Sequence, residues 1–201
     1  MIEIEKKFRL RDGEEARLIE GAEFVKEKTM TDYYFDAPGW PLSTKDWWLR
    51  ERNGKMELKV RMDGLGHHEH TVEKYDELTD DREIAKKLGL SVEVSLPEAM
   101  EAAGYTLFAT IVTHRRTYRR DGFTIDFDTT ADGYAMVEIE KMAEDEAGAI
   151  VAEQAILALA QSLGLDTGVY RGKVLEAIYR QHPDQYRAMQ AAGAVWQDPQ
   201  T

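Results

Sequence analysis

The sequence predicts an α+β fold dominated by β-structure: an eight-stranded antiparallel closed β-barrel with helices packed on its outside. Three observations predict it. Apolar and polar residues alternate with period two along much of the chain, short turn sequences join several of these segments, and helical segments lie between them. Short hairpins force antiparallel pairing, and about eight strands are enough to close a barrel, which also removes exposed strand edges.

The predicted strands are the segments with alternating residues. They are Ile2–Arg11, Met30–Phe35, Trp47–Arg52, Lys55–Met62, Glu69–Glu77, Leu107–Arg120, Gly122–Thr129 and Tyr134–Met142. Asn53-Gly54 is typical of a two-residue hairpin turn, because both residues tolerate a positive φ. Asp121-Gly122 and Asp132-Gly133 predict further short turns before the last two strands.

The predicted helices interrupt this pattern. They are residues 13–21, 79–89, 97–103, 145–163, 172–181 and 184–192. Glycines end several of them and Pro183 separates the last two, as expected at helix termini. Because no linker or internal repeat divides the chain, we predict a single domain over residues 1–192 and a loose tail over 193–201.

Composition and charge exclude several classes of protein. The chain has 201 residues and a formal net charge of -12, which disfavours non-specific binding to nucleic acid or to anionic membranes. It has no cysteine, so disulfides and thiolate chemistry are excluded. It contains neither the apolar run of a secretory signal nor that of a transmembrane helix, so we expect a cytoplasmic protein. We also expect the protein to be a monomer.

The charges fall on one face of most predicted strands, since side chains at i and i+2 share a face. The sets that share a face are Glu3, Glu5 and Lys7; Trp48, Arg50 and Arg52; Glu57, Lys59 and Arg61; Asp126 and Asp128; and Glu138 and Glu140. A sheet with its ionic face in water would show the same alternation. However, like charges on one strand repel unless a partner neutralises them, and the helices could cover the apolar face. We therefore expect the ionic face to line the inside of the barrel.

An interior lined by carboxylates, arginine and lysine suits a polyphosphate. Phosphate oxygens need several cationic donors, and an arginine fork binds them through two hydrogen bonds. Carboxylates repel phosphate, so a cation must lie between the two. Magnesium binds protein carboxylates and phosphate oxygens together, and it is therefore the predicted cofactor of a site for a small-molecule polyphosphate.

The ionic residues lie within motifs of a known family. Glu3-Ile4-Glu5-Lys6-Lys7 matches a Glu-x-Glu-x-Lys signature. Further motifs follow in the family's order, namely Trp48-Leu49-Arg50-Glu51-Arg52, Glu57-Leu58-Lys59, Asp126-Phe127-Asp128, Gly133-Tyr134-Ala135 and Glu138-Ile139-Glu140. Over roughly residues 1–190 the chain resembles the CYTH, or triphosphate tunnel metalloenzyme, family, and within it the thiamine-triphosphatases of animals.

The resemblance implies a role for each ionic residue. The implied metal ligands are Glu3, Glu5, Asp126, Glu138 and Glu140. The implied substrate-binding residues are Lys7, Trp48, Arg50, Arg52, Lys59, Arg115 and Lys173. The implied catalytic residues are Lys7, Arg52, Lys59 and Asp126. Trp48 would stack its indole on the cationic thiazolium ring of thiamine, a contact that contributes about 0.5–2 kcal/mol.

Three choices stay open at this point. Arg115 is preferred to Arg116 for the inner face, but a slip of one residue in strand register would exchange them. Glu73 and Glu77 both qualify as the acidic residue of their strand. The run His67-His68-Glu69-His70 is a weak candidate for a zinc or nickel site, because alternating histidines in a hairpin loop diverge.

The first hypothesis for function is magnesium-dependent hydrolysis of thiamine triphosphate to thiamine diphosphate and phosphate. Catalysis would be electrostatic, with basic side chains stabilising charge on the phosphoryl oxygens and no side-chain nucleophile. The second hypothesis keeps the fold and changes the substrate to inorganic triphosphate or a nucleoside triphosphate. The third is a non-catalytic phosphate-binding module, which would not require the carboxylates.

Overall fold

The described part of the chain, residues 1–62 and 72–195 of a computed structural model, contains eight strands, six α-helices and one short 3-10 helix, Ser43–Lys45. The strands are β1 Ile2–Phe8, β2 Glu23–Asp36, β3 Trp48–Arg52, β4 Lys55–Arg61, β5 Glu73–Leu78, β6 Thr106–Arg120, β7 Phe123–Thr130 and β8 Ala135–Ala143. They form a closed barrel in the order β1-β5-β4-β3-β2-β6-β7-β8. The prediction of an eight-stranded antiparallel barrel is confirmed.

The helices lie close to where the sequence predicts them. They are α1 Glu14–Ile19, α2 Asp81–Leu88, α3 Leu96–Ala102, α4 Glu146–Ser162, α5 Lys173–Gln181 and α6 Pro183–Ala192. Asp80 caps α2 by accepting hydrogen bonds from the backbone amides of Arg82 and Glu83, and Gly89 ends the helix at φ 70°. Within the described ranges, no helix combines the length and apolarity that crossing a membrane requires.

Strand β2 begins at Glu23, well before the predicted start at Met30. Residues 23–29 show no regular alternation of apolar and polar side chains, so periodicity could not reveal this half of the strand. Contacts with β6 accompany it instead. Phe24 packs edge to face on Tyr118 with ring centroids 5.4 Å apart, and a carboxylate oxygen of Glu27 lies 2.8 Å from Nε2 of His114.

The described residues group into two compact units. The first comprises residues 1–30, 72–75 and 112–173, and the second comprises residues 31–62, 76–111 and 174–195. Strands β2, β5 and β6 each contribute residues to both. The single domain 1–192 and the tail 193–201 stay predictions.

The apolar core of the first unit explains why its charges share one face. Ile4, Ile125 and Ile139 are fully buried in one cluster with Ala152 and Ile156 of α4. These isoleucines alternate along β1, β7 and β8 with the acidic residues of the motifs. Because α4 covers the apolar face, the carboxylates lie on the opposite face of the same strands.

The second unit repeats this arrangement. Leu49 of β3 and Leu58 of β4 are buried in a cluster with Ile84 of α2 and Met100 of α3. Arg50 and the neighbouring basic residues alternate with these leucines, so helices cover the apolar face and the charges lie on the other.

Candidate active site

The register of the first unit places like charges directly opposite each other. Glu5 pairs with Glu140 across β1 and β8, and Asp126 pairs with Glu138 across β7 and β8. Opposite residues in an antiparallel pair have Cβ atoms about 4.5–5.5 Å apart, and like charges there destabilise the sheet. Glu5, Asp126 and Glu138 are also buried. Such an arrangement needs cations nearby.

Two groups of carboxylates in this unit fit a metal ion. One consists of Glu3, Glu5 and Glu140, and the other of Asp126, Glu138 and Glu140, with candidate ligand atoms within 4.8 Å of one another in each group. Glu140 belongs to both groups. Hard divalent cations such as Mg²⁺ prefer carboxylate oxygens, so the donor set suits the ion that the sequence predicts. The structure thus brings together all five residues predicted as metal ligands.

Arg115 of β6 contacts three carboxylates. Its Nε and Nη2 atoms donate to the two oxygens of Asp128, each at 2.6 Å, in a two-point fork. Nη2 also donates to Glu138 at 2.6 Å, and Nη1 donates to Asp126. Asp126 accepts a further hydrogen bond of 2.6 Å from the hydroxyl of Thr117. Arg115 therefore joins the acidic residues of β7 and β8.

Two lysines also contact these carboxylates. Lys173, the first residue of α5, donates from Nζ to Glu138 at 3.1 Å and to Asp128. Lys7 of β1 donates to Glu5 at 2.5 Å and to Glu73 of β5. We call the carboxylates of this unit the acidic cluster; its members are Glu3, Glu5, Glu73, Asp126, Asp128, Glu138 and Glu140. Lys7, Arg115 and Lys173 lie among them as cations.

Burial and ion pairing compete in setting the pKa values of these groups. Burial acts to raise the pKa of Glu138, but Lys173 and Arg115 outweigh it and lower this pKa to about 2. Burial acts to lower the pKa of Lys173, yet Glu138 and Asp128 leave this pKa raised. The pKa of Asp126 is raised, because its burial outweighs the opposing effects of Arg115 and Thr117. Glu138 and Lys173 are therefore both charged at neutral pH.

The second unit holds a separate set of ion pairs. Arg52 of β3 binds Asp32 of β2 with a fork, Nε to Oδ1 at 2.5 Å and Nη2 to Oδ2 at 2.6 Å. Arg50 donates to Glu57 at 2.7 Å and to Glu77 at 3.4 Å. Burial acts to lower the pKa of Arg50, but Tyr34, Asp32 and Glu57 outweigh it, so this pKa is raised. Both guanidinium groups are thus held in place by carboxylates.

Trp48 lies at the start of β3, on the face of these arginines. It is buried, and its indole nitrogen donates to Asp46 at 2.9 Å. The other oxygen of Asp46 accepts from Arg61 at 2.9 Å. Lys59 lies opposite Trp48 in the β3–β4 register, so these two residues share a face.

The structure also shows the register of β6. Arg115 lies on the acidic face, whereas Arg116 points the other way, donating to Glu15 at 2.9 Å and stacking on Phe127 at 5.2 Å. Glu73 contacts Lys7 and Glu77 contacts Arg50, so each takes part in the ion pairs of its own unit. The run 67–70 lies outside the described residues.

Two acidic residues at these sites escape the sequence analysis. Asp32 is fully buried against Arg52, and its signal in the sequence is the i, i+2 spacing with Tyr34, which places the two on one strand face. Asp46 lies in a turn with φ 57°, outside any strand, so no periodicity marks it. Its contacts are with Trp48, two residues away, and with Arg61 of β4.

A model of the CYTH domain matches residues 1–170. The chain belongs to the CYTH family. CYTH proteins are triphosphatase-type enzymes and generally depend on a metal ion. The thiamine-triphosphatase of Macaca fascicularis is 28% identical over 216 residues, which cover 100% of this chain and 94% of that protein.

Solved structures share the fold of this chain. The PH1819 protein from Pyrococcus horikoshii OT3 matches with a TM-score of 0.60 and 20% identity, covering 90% of this chain and 99% of that one. A putative adenylyl cyclase from Hippeastrum, described as revealing a dominant triphosphatase activity, matches with a TM-score of 0.54 and 18% identity, covering 89% and 95%. At these identities the likeness concerns the fold alone.

Proposed function

We propose that this CYTH protein is a magnesium-dependent thiamine-triphosphatase that releases thiamine diphosphate and phosphate. The observation that carries the proposal is the acidic cluster of the first unit, in which Glu140 belongs to two potential ligand groups and buried cations lie among the carboxylates. Similarity to a thiamine-triphosphatase over the whole chain supports the choice of substrate. The Mg²⁺ ion, thiamine triphosphate and each residue's role are parts of this proposal.

The metal would be held by the two carboxylate groups, Glu3, Glu5 and Glu140, and Asp126, Glu138 and Glu140. When bound, Mg²⁺ would neutralise charge on the phosphate oxygens and lower the pKa of a coordinated water. The concentration of carboxylates on one face supports this assignment, because a polyphosphate would be repelled by them unless a cation lay between. The like-charged pair Glu5–Glu140 supports it as well.

Lys7, Arg115 and Lys173 would hold the phosphates beside the metal. Each is nearly buried and bonded to a carboxylate, so each is oriented before the substrate binds. A phosphate oxygen offers the same charge and acceptor geometry as the carboxylate oxygen it would replace, and Arg115 can present two donors to it. In a site with little water, such fixed cations stabilise charge far better than water does.

In the second unit we assign Arg50, Arg52 and Lys59 to phosphate binding, and Arg52 and Lys59 also to a catalytic role. The forked pair with Asp32 fixes the orientation of the Arg52 guanidinium. Trp48 would stack on the thiazolium ring, and its bond to Asp46 holds the indole in one orientation for that contact.

Hydrolysis would proceed by attack of water on the terminal phosphorus. The bond from phosphorus to the bridging oxygen breaks, and thiamine diphosphate leaves with the electrons of that bond. Lys7 would stabilise the charge that develops on the oxygens, and Asp126 would orient the attacking water by accepting its hydrogen bond. No covalent enzyme intermediate is needed.

Inorganic triphosphate and nucleoside triphosphates are the alternative substrates. The charges of the acidic cluster and its basic partners recognise phosphates whatever group they carry, and this favours a broader specificity. A purely binding module is disfavoured, because buried like-charged carboxylates would weaken phosphate binding without serving it.

A phosphate-release assay over three substrates tests the proposal. Purified protein with excess Mg²⁺ is given thiamine triphosphate, inorganic triphosphate or ATP in parallel, each with and without EDTA. We expect the highest kcat/KM for thiamine triphosphate and loss of turnover in EDTA. A higher kcat/KM for inorganic triphosphate or ATP would mean that thiamine triphosphate is not the preferred substrate. If none of the three substrates released phosphate, the proposed triphosphatase activity would be refuted.

A further inference from the structure

An irregular segment, residues 165–172, connects α4 to α5 and leads directly into Lys173. We call this segment the strap. The ammonium group of Lys173 enters the acidic cluster, where it contacts Asp128 and Glu138. A lysine side chain has several rotatable bonds, so the position of its charge depends on how firmly its backbone is held.

Lys6 fastens the strap to β1. It lies on the face of β1 opposite Glu5 and Lys7, and its side chain is among the most buried in the described part of the chain, with 1% of the residue exposed. Its Nζ donates to the backbone carbonyls of Thr167 and Gly168, both at 3.1 Å. A buried ammonium is costly unless it is hydrogen-bonded. The two carbonyls accept hydrogen bonds from the Lys6 ammonium, and the same hydrogen bonds fix the position of the strap backbone.

Tyr134 fastens the strap closer to Lys173. Its phenol is buried, and its hydroxyl donates to the backbone carbonyl of Arg171 at 2.5 Å. Arg171 lies two residues before Lys173. Tyr134 also belongs to the Gly-Tyr-Ala motif, for which the proposed chemistry provides no role.

The strap has internal restraints as well. Asp166 accepts a hydrogen bond of 2.9 Å from the amide of Gly168 and pairs with Arg11 at 2.6 Å. At the other end Gly172 passes close to Lys7, since a Cβ at position 172 would lie 2.8 Å from Cε of Lys7. The strap is therefore connected to two basic residues of the site: it contacts Lys7, and Lys173 is the next residue along the chain.

We propose that Tyr134 and Lys6 are positioning residues for the phosphate-binding cations, acting through the strap on Lys173. The proposal rests on the proposed function. The hydrogen bonds from Tyr134 and Lys6 run to carbonyls of the strap, so each side chain would act on the reaction by fixing that backbone. Misplacement of a charge by about 1 Å is enough to slow catalysis markedly. Tyr134 should have the larger effect on turnover, because it holds the carbonyl nearer Lys173.

The first experiment is a double-mutant cycle on turnover. Tyr134→Phe removes one hydroxyl, and we expect it to lower kcat about 3- to 10-fold, the factor that one net hydrogen bond corresponds to. In a Lys173→Gln background, assayed at high enzyme concentration, Tyr134→Phe should have no further effect, because the group it positions is gone. Tyr118→Phe, which removes a hydroxyl on the outer face of β6, is the matched control and should leave kcat unchanged.

The second experiment measures the strap without a substrate. Hydrogen–deuterium exchange of the peptide spanning residues 165–173 should be faster in Tyr134→Phe and in Lys6→Met than in the wild type. Lys6→Arg retains a donor for the two carbonyls. Its exchange should therefore be slower than that of Lys6→Met, and its kcat should be close to that of the wild type. Melting curves establish that each variant is folded.

The possible results separate cleanly. Faster exchange with unchanged kcat would overturn the proposal, as would lower kcat with unchanged exchange, or multiplicative effects of Tyr134→Phe and Lys173→Gln. If the wild type hydrolyses no triphosphate, the proposed function fails and the positioning role fails with it. The exchange data would then still show whether Lys6 and Tyr134 hold the strap.

Discussion

Arg115 is the buried guanidinium that joins Asp126, Asp128 and Glu138, and Arg115→Met tests what that contact contributes. The side chain is 12% exposed, and each of the three carboxylates is less exposed still. Removing one partner of a buried ion pair costs about 3–5 kcal/mol, because a charge is left without compensation. Lys173 still contacts Asp128 and Glu138 in the variant, so we expect a loss of about 3 kcal/mol.

The neighbouring Arg116 provides a matched control on the other face of β6. It pairs with Glu15, and the two side chains are 34% and 45% exposed. Pairs exposed to this degree contribute about 0–1 kcal/mol, so Arg116→Met should lose no more than that. Urea unfolding without divalent ions gives both free energies of unfolding. Equal losses for the two variants would refute the buried network around Arg115.

Added Mg²⁺ should reduce the difference in free energy of unfolding between Arg115→Met and the wild type. In Arg115→Met the carboxylate oxygens no longer bond to a guanidinium, so they become available to a cation. An ion that binds only the folded state stabilises it by mass action. We therefore expect added Mg²⁺ to raise the free energy of unfolding of Arg115→Met by more than that of the wild type. No Mg²⁺ effect on either protein would contradict the assignment of the acidic cluster as a metal site.

The remaining predictions concern the second unit. Arg52→Ala and Lys59→Ala should each lower kcat by about 10²–10³-fold, the usual loss of one contact to developing charge, whereas the exposed Arg119→Ala, at the end of β6, should change it little. Steady-state kinetics on all three variants checks this, and equal small losses would refute it. Trp48→Ala should raise the KM for thiamine triphosphate several-fold, for about 1–2 kcal/mol of lost cation–π contact, and spare inorganic triphosphate. Parallel loss with both substrates, together with a lower Tm, would make Trp48 structural.

Local pattern accounts for the parts of the fold that the sequence predicts. The alternation in β1, β7 and β8 reflects one face packed under α4 and one ionic face, and both requirements act residue by residue. The five predicted metal ligands therefore come together once the register is set. The one-residue ambiguity at Arg115 shows the limit of this reasoning, because only pairing with Asp128 fixes the register.

Tertiary contacts decide what the sequence does not predict. Lys6 falls on an otherwise apolar face, and nothing near it in the sequence indicates that its partners are carbonyls of residues 167 and 168. Asp46 acts from a turn, through Trp48 and Arg61. The first half of β2 is extended although its side chains do not alternate, since they are largely exposed on both faces.

Glu140 belongs to both carboxylate groups, so its amide variant tests the central claim of a metal-dependent triphosphatase most directly. The measurement is Mg²⁺-dependent phosphate release from thiamine triphosphate by Glu140→Gln, with the exposed Glu144→Gln as control. We expect Glu140→Gln to lose at least about 10²-fold in kcat with its Tm retained, and Glu144→Gln to match the wild type. Full activity of Glu140→Gln, or undiminished wild-type activity in excess EDTA, would contradict the account.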